Sequence, residues 1–284
     1  MNDPLIPRVP DDWTVWAFSD PHGVATGLEA AMIRAGLLDE DLRWIAPQRT
    51  ALVGCGDYLD RGLDSPRVVA LLRRLEIEAA AAGSRALFAR GNHEHLLYQL
   101  GIGASDDVEV WLSYGGRATL DAYGCGTLDP ANPGIVLREL EMRAPGLFAW
   151  LGGLVHAVRW RDVLFVHGGL PPWADLEDLG RTTEQHLWVR RDFFETPWGS
   201  GAFTGFEQAG IHRVVFGHSP LANGARTFHE GRSLGIDTNA CGNPQLPPGA
   251  HRMVTLVELA GEVALEDTRR VVVATDDAPD RRPG

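Results

Sequence analysis

The sequence predicts a single large α/β domain. Short apolar runs of strand character recur along it, each ending in a glycine-rich loop that carries polar residues. Stretches of helical periodicity separate the early ones. The 284-residue length suits one large domain with a sizeable core, and the 44% hydrophobic, 23% charged composition is ordinarily globular.

The elements follow in order. Residues 1–12 are polar and proline-punctuated and are expected as a loose arm before a domain over 13–274. Thr14 to Phe18 reads as a strand, bounded by Ser19-Asp20-Pro21-His22-Gly23. Leu28, Met32 and Ile33 have helical spacing, closed by Gly36, and 37–50 is a connection. A strand over 50–55 enters Val53-Gly-Cys-Gly-Asp-Tyr-Leu-Asp-Arg-Gly62, where glycines at 54, 56 and 62 are expected to make the tight turns. Ser65-Pro66 opens a helix running to about Ala82. Ala86 to Ala89 is a strand, and Gly91-Asn92-His93-Glu94 leads into a helix ending near Leu100.

The region 101–150 reads as largely helical, broken at Gly115-Gly116 and Gly124-Cys-Gly126, and is a candidate helical cap. Leu154–Val158 and Val163–Val166 form a hairpin around Arg161-Asp162, followed by His167-Gly-Gly169. Residues 170–210 are loop-rich, with a helical piece near 182–195. Arg213–Phe216 is a strand ending in Gly217-His218. Arg226–His229, Ser233–Ile236, Met253–Leu259 and Val263–Asp267 are expected as further strands, and 275–284 as a disordered tail.

Charge and cysteine content exclude several classes. A net charge of −12 argues against nucleic-acid binding through a broad basic face. A phosphate site must then be locally positive. The three cysteines form no CxxC pair, which favours a reducing cytoplasm over a disulfide framework or a thiolate zinc site. No run is long enough to span a bilayer and no signal peptide is visible.

Asp20 and His22 sit two apart. In an extended segment they would share a side, where one cation can take both. Oxygen plus imidazole suits borderline divalent metals such as Mn, Fe, Zn or Co. Asp57 is a natural bridge, so Asp20, His22 and Asp57 define one metal site, and Asp57, Asn92, His167 and His218 a second. Such a pair can share a nucleophile for phosphoryl displacement. His93 is then the proton donor to the leaving oxygen, oriented by Asp60, and Arg61 a bidentate phosphate grip. A second arginine is sought in Leu187-Trp-Val-Arg190-Arg191. His95, His156, His186, His212, His229 and His251 belong to no motif and read as core or surface. The tryptophans, including Trp111, Trp150, Trp160 and Trp198, read as core or cap packing.

The set Asp-x-His-Gly (20–23), Gly-Asp-x-x-Asp-Arg-Gly (56–62), Gly-Asn-His-Glu (91–94), His-Gly-Gly (167–169) and Gly-His (217–218) resembles the calcineurin-like metallophosphoesterases. More narrowly it resembles the bacterial and phage branch of the phosphoprotein phosphatase family, and Gly235-Ile-Asp-Thr238 resembles a late segment of it. Pro21, where an aliphatic residue is usual, and Asn239, where glycine is common, depart from the pattern.

The resemblance implies a metallophosphoesterase β-sandwich flanked by helices, in four layers α/β/β/α. It implies two divalent metals, manganese first with iron or zinc as alternatives, and single-step attack by a metal-activated hydroxide. Asp20, His22, Asp57, Asn92, His167 and His218 take the family's ligand positions, with His93 and Asp60 as the acid pair. Arg61, Arg190 rather than Arg191, and Asn92 are the substrate contacts. The expected activity is hydrolysis of phosphomonoesters, with phosphoserine or phosphothreonine of proteins as substrate. A symmetrical dinucleoside tetraphosphate hydrolase is the alternative, and a non-catalytic phosphate-binding partner protein a further one.

Overall fold

The computed structural model describes residues 3–275, apart from 182, 183, 244, 248 and 263. The elements in chain order are β1 (Arg8–Val9), β2 (Thr14–Phe18), α1 (Ala25–Ala35), β3 (Thr50–Gly54), α2 (Ser65–Ala81), β4 (Arg85–Phe88) and α3 (Asn92–Gly101). There follow α4 (Val108–Trp111), a π-turn (Leu112–Gly116), α5 (Arg117–Ala122), α6 (Pro133–Arg143), α7 (Leu147–Gly153), β5 (Ala157–Trp160) and β6 (Val163–Val166). The remainder comprises α8 (Leu176–Arg181), α9 (Glu184–Trp188), α10 (Arg191–Glu195), α11 (Thr204–Gln208), β7 (Arg213–Phe216), β8 (Arg226–Phe228), β9 (Ser233–Gly235), β10 (Met253–Leu259) and β11 (Arg269–Ala274).

The strands make two mixed sheets, ordered β1-β5-β6-β7-β9-β8 and β11-β10-β2-β3-β4. Their side-chain alternation creates the layers. Val15, Ala17, Ala51 and Val53 of one sheet share an inter-sheet core with Val163, Phe165 and Val215 of the other. The intervening Trp16, Phe18 and Leu52 face outward onto α1 and α2. Leu164, Val166, Val214 and Phe216 pack outward with Phe193 of α10 and Phe206 of α11. The result is the expected helix-flanked sandwich.

Strands β2, β3 and β4 run parallel, as do β6, β7 and β9. Parallel pairing brings their C-terminal ends to a common edge, where the polar loops leave the sheets. Glu94, in the first turn of α3, ties two of these loops together. Its carboxylate accepts the backbone N–H groups of Asp57 (2.8 Å), Tyr58 (2.8 Å), Leu59 (3.3 Å) and Gly91 (2.9 Å).

Three elements differ from the sequence expectation. Residues 1–12 are not a loose arm: Arg8 and Val9 pair parallel with Arg159 and Trp160, Ile6 packs on the outer core, and Val9 is fully buried. Two alternating residues were too short a pattern to read as a strand. Nor does the described part of the strand expected over 263–267 form one: Leu265–Asp267 is a 3-10 turn that plugs Leu265 into the inter-sheet core, and residue 263 lies outside the described residues. The edge strand is instead β11, whose β-branched Val271–Val273 pair with β10. The helical piece near 182–195 divides into α9 and α10, with α8 before it, and residues 182 and 183 lie outside the described residues. Thr275 is tied by its backbone to Arg252 and by its hydroxyl to Ala240, and the expected tail over 276–284 lies outside the described residues. The region 101–150 is helical as expected, and it reaches the polar loops through residues 111–119.

Val9→Ala is expected to lower unfolding stability by about 1–2 kcal/mol in a denaturant titration, as loss of buried methyl groups does. An unchanged midpoint would mean that β1 adds nothing to the core. Glu94→Ala leaves four buried N–H donors without their acceptor and should cost about 2 kcal/mol or more.

Candidate metal centre

The tight turns at the sheet edge fall on the candidate site residues themselves. Asp20 (φ 51°), His22 (42°), Asp57 (58°), Asp60 (70°), Arg61 (66°) and His218 (65°) all adopt the left-handed conformation. Such φ values are uncommon for non-glycine residues, with Asp and His among the better tolerated, and cluster at functional sites. Of the three loop glycines, Gly56 has positive φ, whereas Gly54 and Gly62 do not. Gly91 serves close approach, since a Cβ there would lie 2.2 Å from Asp57 Oδ1. The proximity of Asp20 and His22 likewise comes from a turn and not from an extended strand.

Asp57 joins two groups of ligand atoms. One contains His22, Asp57 and His93, the other Asp57, His167 and His218, and within each the atoms lie within 4.8 Å of one another. His167 Nε2 is 2.8 Å from Asn92 Oδ1, 3.1 Å from His218 Nδ1 and 3.3 Å from Asp57 Oδ1. His22 Nε2 is 3.5 Å from Asp57 Oδ2 and 4.0 Å from Asp20 Oδ1. Asp20 thus stands at the margin of the first group. Its carboxylate accepts the backbone N–H of His218 at 3.0 and 3.1 Å and the hydroxyl of Ser19.

The donor chemistry fits two cations. His22 Nδ1 and His167 Nδ1 face the carbonyls of Leu59 (2.9 Å) and Cys55 (2.7 Å), so those nitrogens carry protons. Their Nε2 atoms are turned onto carboxylate and amide oxygens, which are themselves lone-pair donors. Buried lone pairs converge stably only on a proton or a metal ion. His167 shows this pressure: burial pulls its pKa down, but the Asp57 carboxylate, together with Asp20 and the Cys55 carbonyl, raises it to about 9. Burial also opposes ionisation of Asp57, yet the surrounding His167 and His93 hold its pKa well below the usual range. Asp20 is pushed well above that range by burial and by Asp237 and Asp57. The N/O donor set suits borderline divalent metals.

His93 lies beside the bridge, with Nε2 3.8 Å from Asp57 Oδ2 and Nδ1 2.8 Å from Asp60 Oδ2. Arg61 forks between two imidazoles, Nη1 being 2.9 Å from His22 Nε2 and Nη2 3.0 Å from His93 Nε2. Arg190 Nε donates to His218 Nε2 at 2.8 Å, whereas Arg191 pairs with Glu195 on the surface. The edge therefore gathers Asp20, His22, Asp57, Asp60, Arg61, Asn92, His93, His167, Arg190 and His218.

Sequence reasoning missed several neighbours. Asp237, from Gly235-Ile-Asp-Thr238, is buried near Asp57, and burial raises its pKa to about 6. Its motif was visible, but nothing local gave it a role. Tyr114 and Trp188 bridge the site, with ring centroids 5.3 Å apart, Tyr114 6.1 Å from His93 and Trp188 6.0 Å from His218. Trp111 packs in the core as expected but also donates its indole N–H to Asp60 at 2.9 Å. A groove of about 390 Å³, lined by Trp111, Trp188, His95, Leu100 and Asp107 among others, opens alongside. A larger recess at Arg161, Asp162 and Arg213 lies at the opposite end of β6.

The calcineurin-like phosphoesterase family model matches residues 14–235. The chain is 38% identical over 183 residues to Shewanella-like protein phosphatase 2 of Arabidopsis thaliana, covering 54% of this chain and 46% of that protein. The match therefore spans about half the length of that relative. It is 29% identical over 211 residues to serine/threonine-protein phosphatase 1 of Salmonella typhimurium, covering 73% of this chain and 79% of that protein. Among solved structures, the cold-active protein-tyrosine phosphatase of a psychrophilic Shewanella species superposes with a TM-score of 0.64 at 20% identity, over 95% of this chain and 80% of that one. The family model covers most of the chain and the motifs meet at one sheet edge: the chain belongs to the calcineurin-like phosphoesterase family.

Proposed function

We propose that the protein is a two-metal phosphatase that hydrolyses phosphomonoesters, with phosphoserine or phosphothreonine of proteins as its substrate. The observation that carries this reading is Asp57, shared between two ligand groups with the His93–Asp60 pair against it. Asp20, His22 and Asp57 would hold one cation, and Asp57, Asn92, His167 and His218 the other. Manganese is the proposed metal, with iron or zinc as alternatives. When bound, the cations would supply Lewis acidity that activates water and neutralises phosphoryl charge.

The chain's own residues do the rest. Arg61 reaches His22 and Arg190 reaches His218, and their planar guanidinium groups suit phosphate oxygens. Asn92 offers its amide to the same group. His93 delivers a proton from Nε2 to the departing oxygen while Asp60 holds Nδ1. A purely phosphate-binding partner protein would have no use for that pair. The similarity to the Salmonella serine/threonine phosphatase supports protein substrates. The cysteines, which form no disulfide among the described residues, suit a cytoplasmic setting. No helix among the described residues is long and apolar enough to cross a membrane.

Product analysis tests the substrate. The Mn-loaded protein is offered a phosphothreonine peptide and diadenosine tetraphosphate together; faster phosphate release from the peptide is expected, and preferential formation of ADP would replace this reading with the dinucleotide hydrolase. Asp57→Asn should lose both metals and turnover together, measured by metal analysis and phosphate release; full metal content with activity would sink the bridging assignment. His93→Asn should keep its metal while kcat falls by on the order of 10²–10⁴.

A further inference from the structure

Asp60 receives more donors than its pairing with His93 requires. Thr119 Oγ1 donates to Oδ1 at 2.6 Å, and Trp111 Nε1 donates to Oδ2 at 2.9 Å, beside His93 Nδ1 at 2.8 Å. Thr119 Oγ1 also accepts the backbone N–H of Asp60 at 3.0 Å, so one hydroxyl grips both ends of the residue. Asp60, His93, Trp111 and Thr119 are all fully buried. Gly116 lies against the Trp111 ring, where a Cβ would come within 2.4 Å. The same turn reaches Arg61, whose backbone N–H donates to the Gly115 carbonyl at 3.1 Å.

We infer that Trp111 and Thr119 are positioning residues for leaving-group protonation, acting through Asp60. The inference rests on the phosphatase reading above. A carboxylate held only by His93 can rotate about its terminal torsion, and the imidazole turns with it. Donors on both oxygens remove that freedom. They also give both oxygens of a buried carboxylate hydrogen-bond partners, which burial demands. His93 is then presented in one ring orientation, with Nδ1 committed to Asp60 and Nε2 facing the Asp57 side of the site. The bland alternative is that these bonds only anchor α4 and α5 to the domain. The two readings differ in how rate depends on the leaving group. An alkoxide must be protonated as it departs, whereas p-nitrophenolate leaves readily as the anion.

The test compares wild type with Trp111→Phe, Thr119→Val and Thr119→Ser, all Mn-loaded, on a phosphoserine peptide and on p-nitrophenyl phosphate. Metal content and melting temperature are measured for each. For Trp111→Phe and Thr119→Val, kcat on the peptide should fall roughly tenfold or more, a part of what an acid catalyst contributes. Turnover of p-nitrophenyl phosphate should stay near wild type. Thr119→Ser, which keeps the hydroxyl, should restore the peptide rate, and Thr119→Val should cause no further loss in an Asp60→Asn background. An equal fall on both substrates would overturn the inference and leave a structural role. If Thr119→Val does not fold, the ratio for Trp111→Phe decides. A wild-type protein that holds metal yet hydrolyses neither substrate would remove the phosphatase reading, and this inference with it.

Discussion

The structure depends on a buried convergence of lone pairs around Asp57. Two imidazole nitrogens, an amide oxygen and the two oxygens of Asp57 point at one another on buried side chains. In low dielectric this arrangement is unfavourable unless positive charge occupies it. The opposed pKa shifts of Asp57 and Asp20 express the same fact: one carboxylate is held ionised by neighbouring imidazoles, and the other is pushed toward its neutral form by burial and by the carboxylates near it. Two cations would answer that demand, and the two ligand groups that share Asp57 could hold them.

Holding the ligands there requires a strained edge. Six candidate site residues take left-handed backbone, at a cost on the order of 1 kcal/mol each. The strain persists because each loop is fixed at both ends. Parallel pairing of β2 with β3 and of β3 with β4, and of β6 with β7 and of β7 with β9, sets the loop origins. Glu94 then collects N–H groups that the turn leaves without partners, binding the Asp57 loop to the start of α3. The sandwich is therefore a frame that sustains local backbone geometry its own sequence disfavours.

A second tier of support comes from outside the strand-end loops. Residues 111–119 contribute an indole, a hydroxyl and two carbonyls to Asp60 and Arg61. These residues belong to the helical region whose sequence was least informative. Its role follows from placement: the glycines at 115 and 116 let the chain pass close to Arg61 and Trp111, where any side chain would collide.

The sequence by itself determined which side chains are candidates for the chemistry. Five short motifs in order picked out the candidate ligands, acid pair and first arginine, because metal and phosphate chemistry demands particular side chains at particular spacings. The strands that carry them were legible too, since β2, β3, β6 and β7 are apolar runs that end at the functional loops. The resemblance already preferred Arg190 to Arg191, and the structure sets Arg190 on His218 and Arg191 on Glu195. Only the tertiary structure decided that Arg8–Val9 is a strand while Leu265–Asp267 is a 3-10 turn. It alone brought Trp111, Thr119 and Asp237 to residues 50 to more than 200 positions away in the chain. Spacing encodes what neighbours along the chain can do together. Which distant side chains meet depends on how two sheets and their helices close over one edge, and no local pattern carries that information.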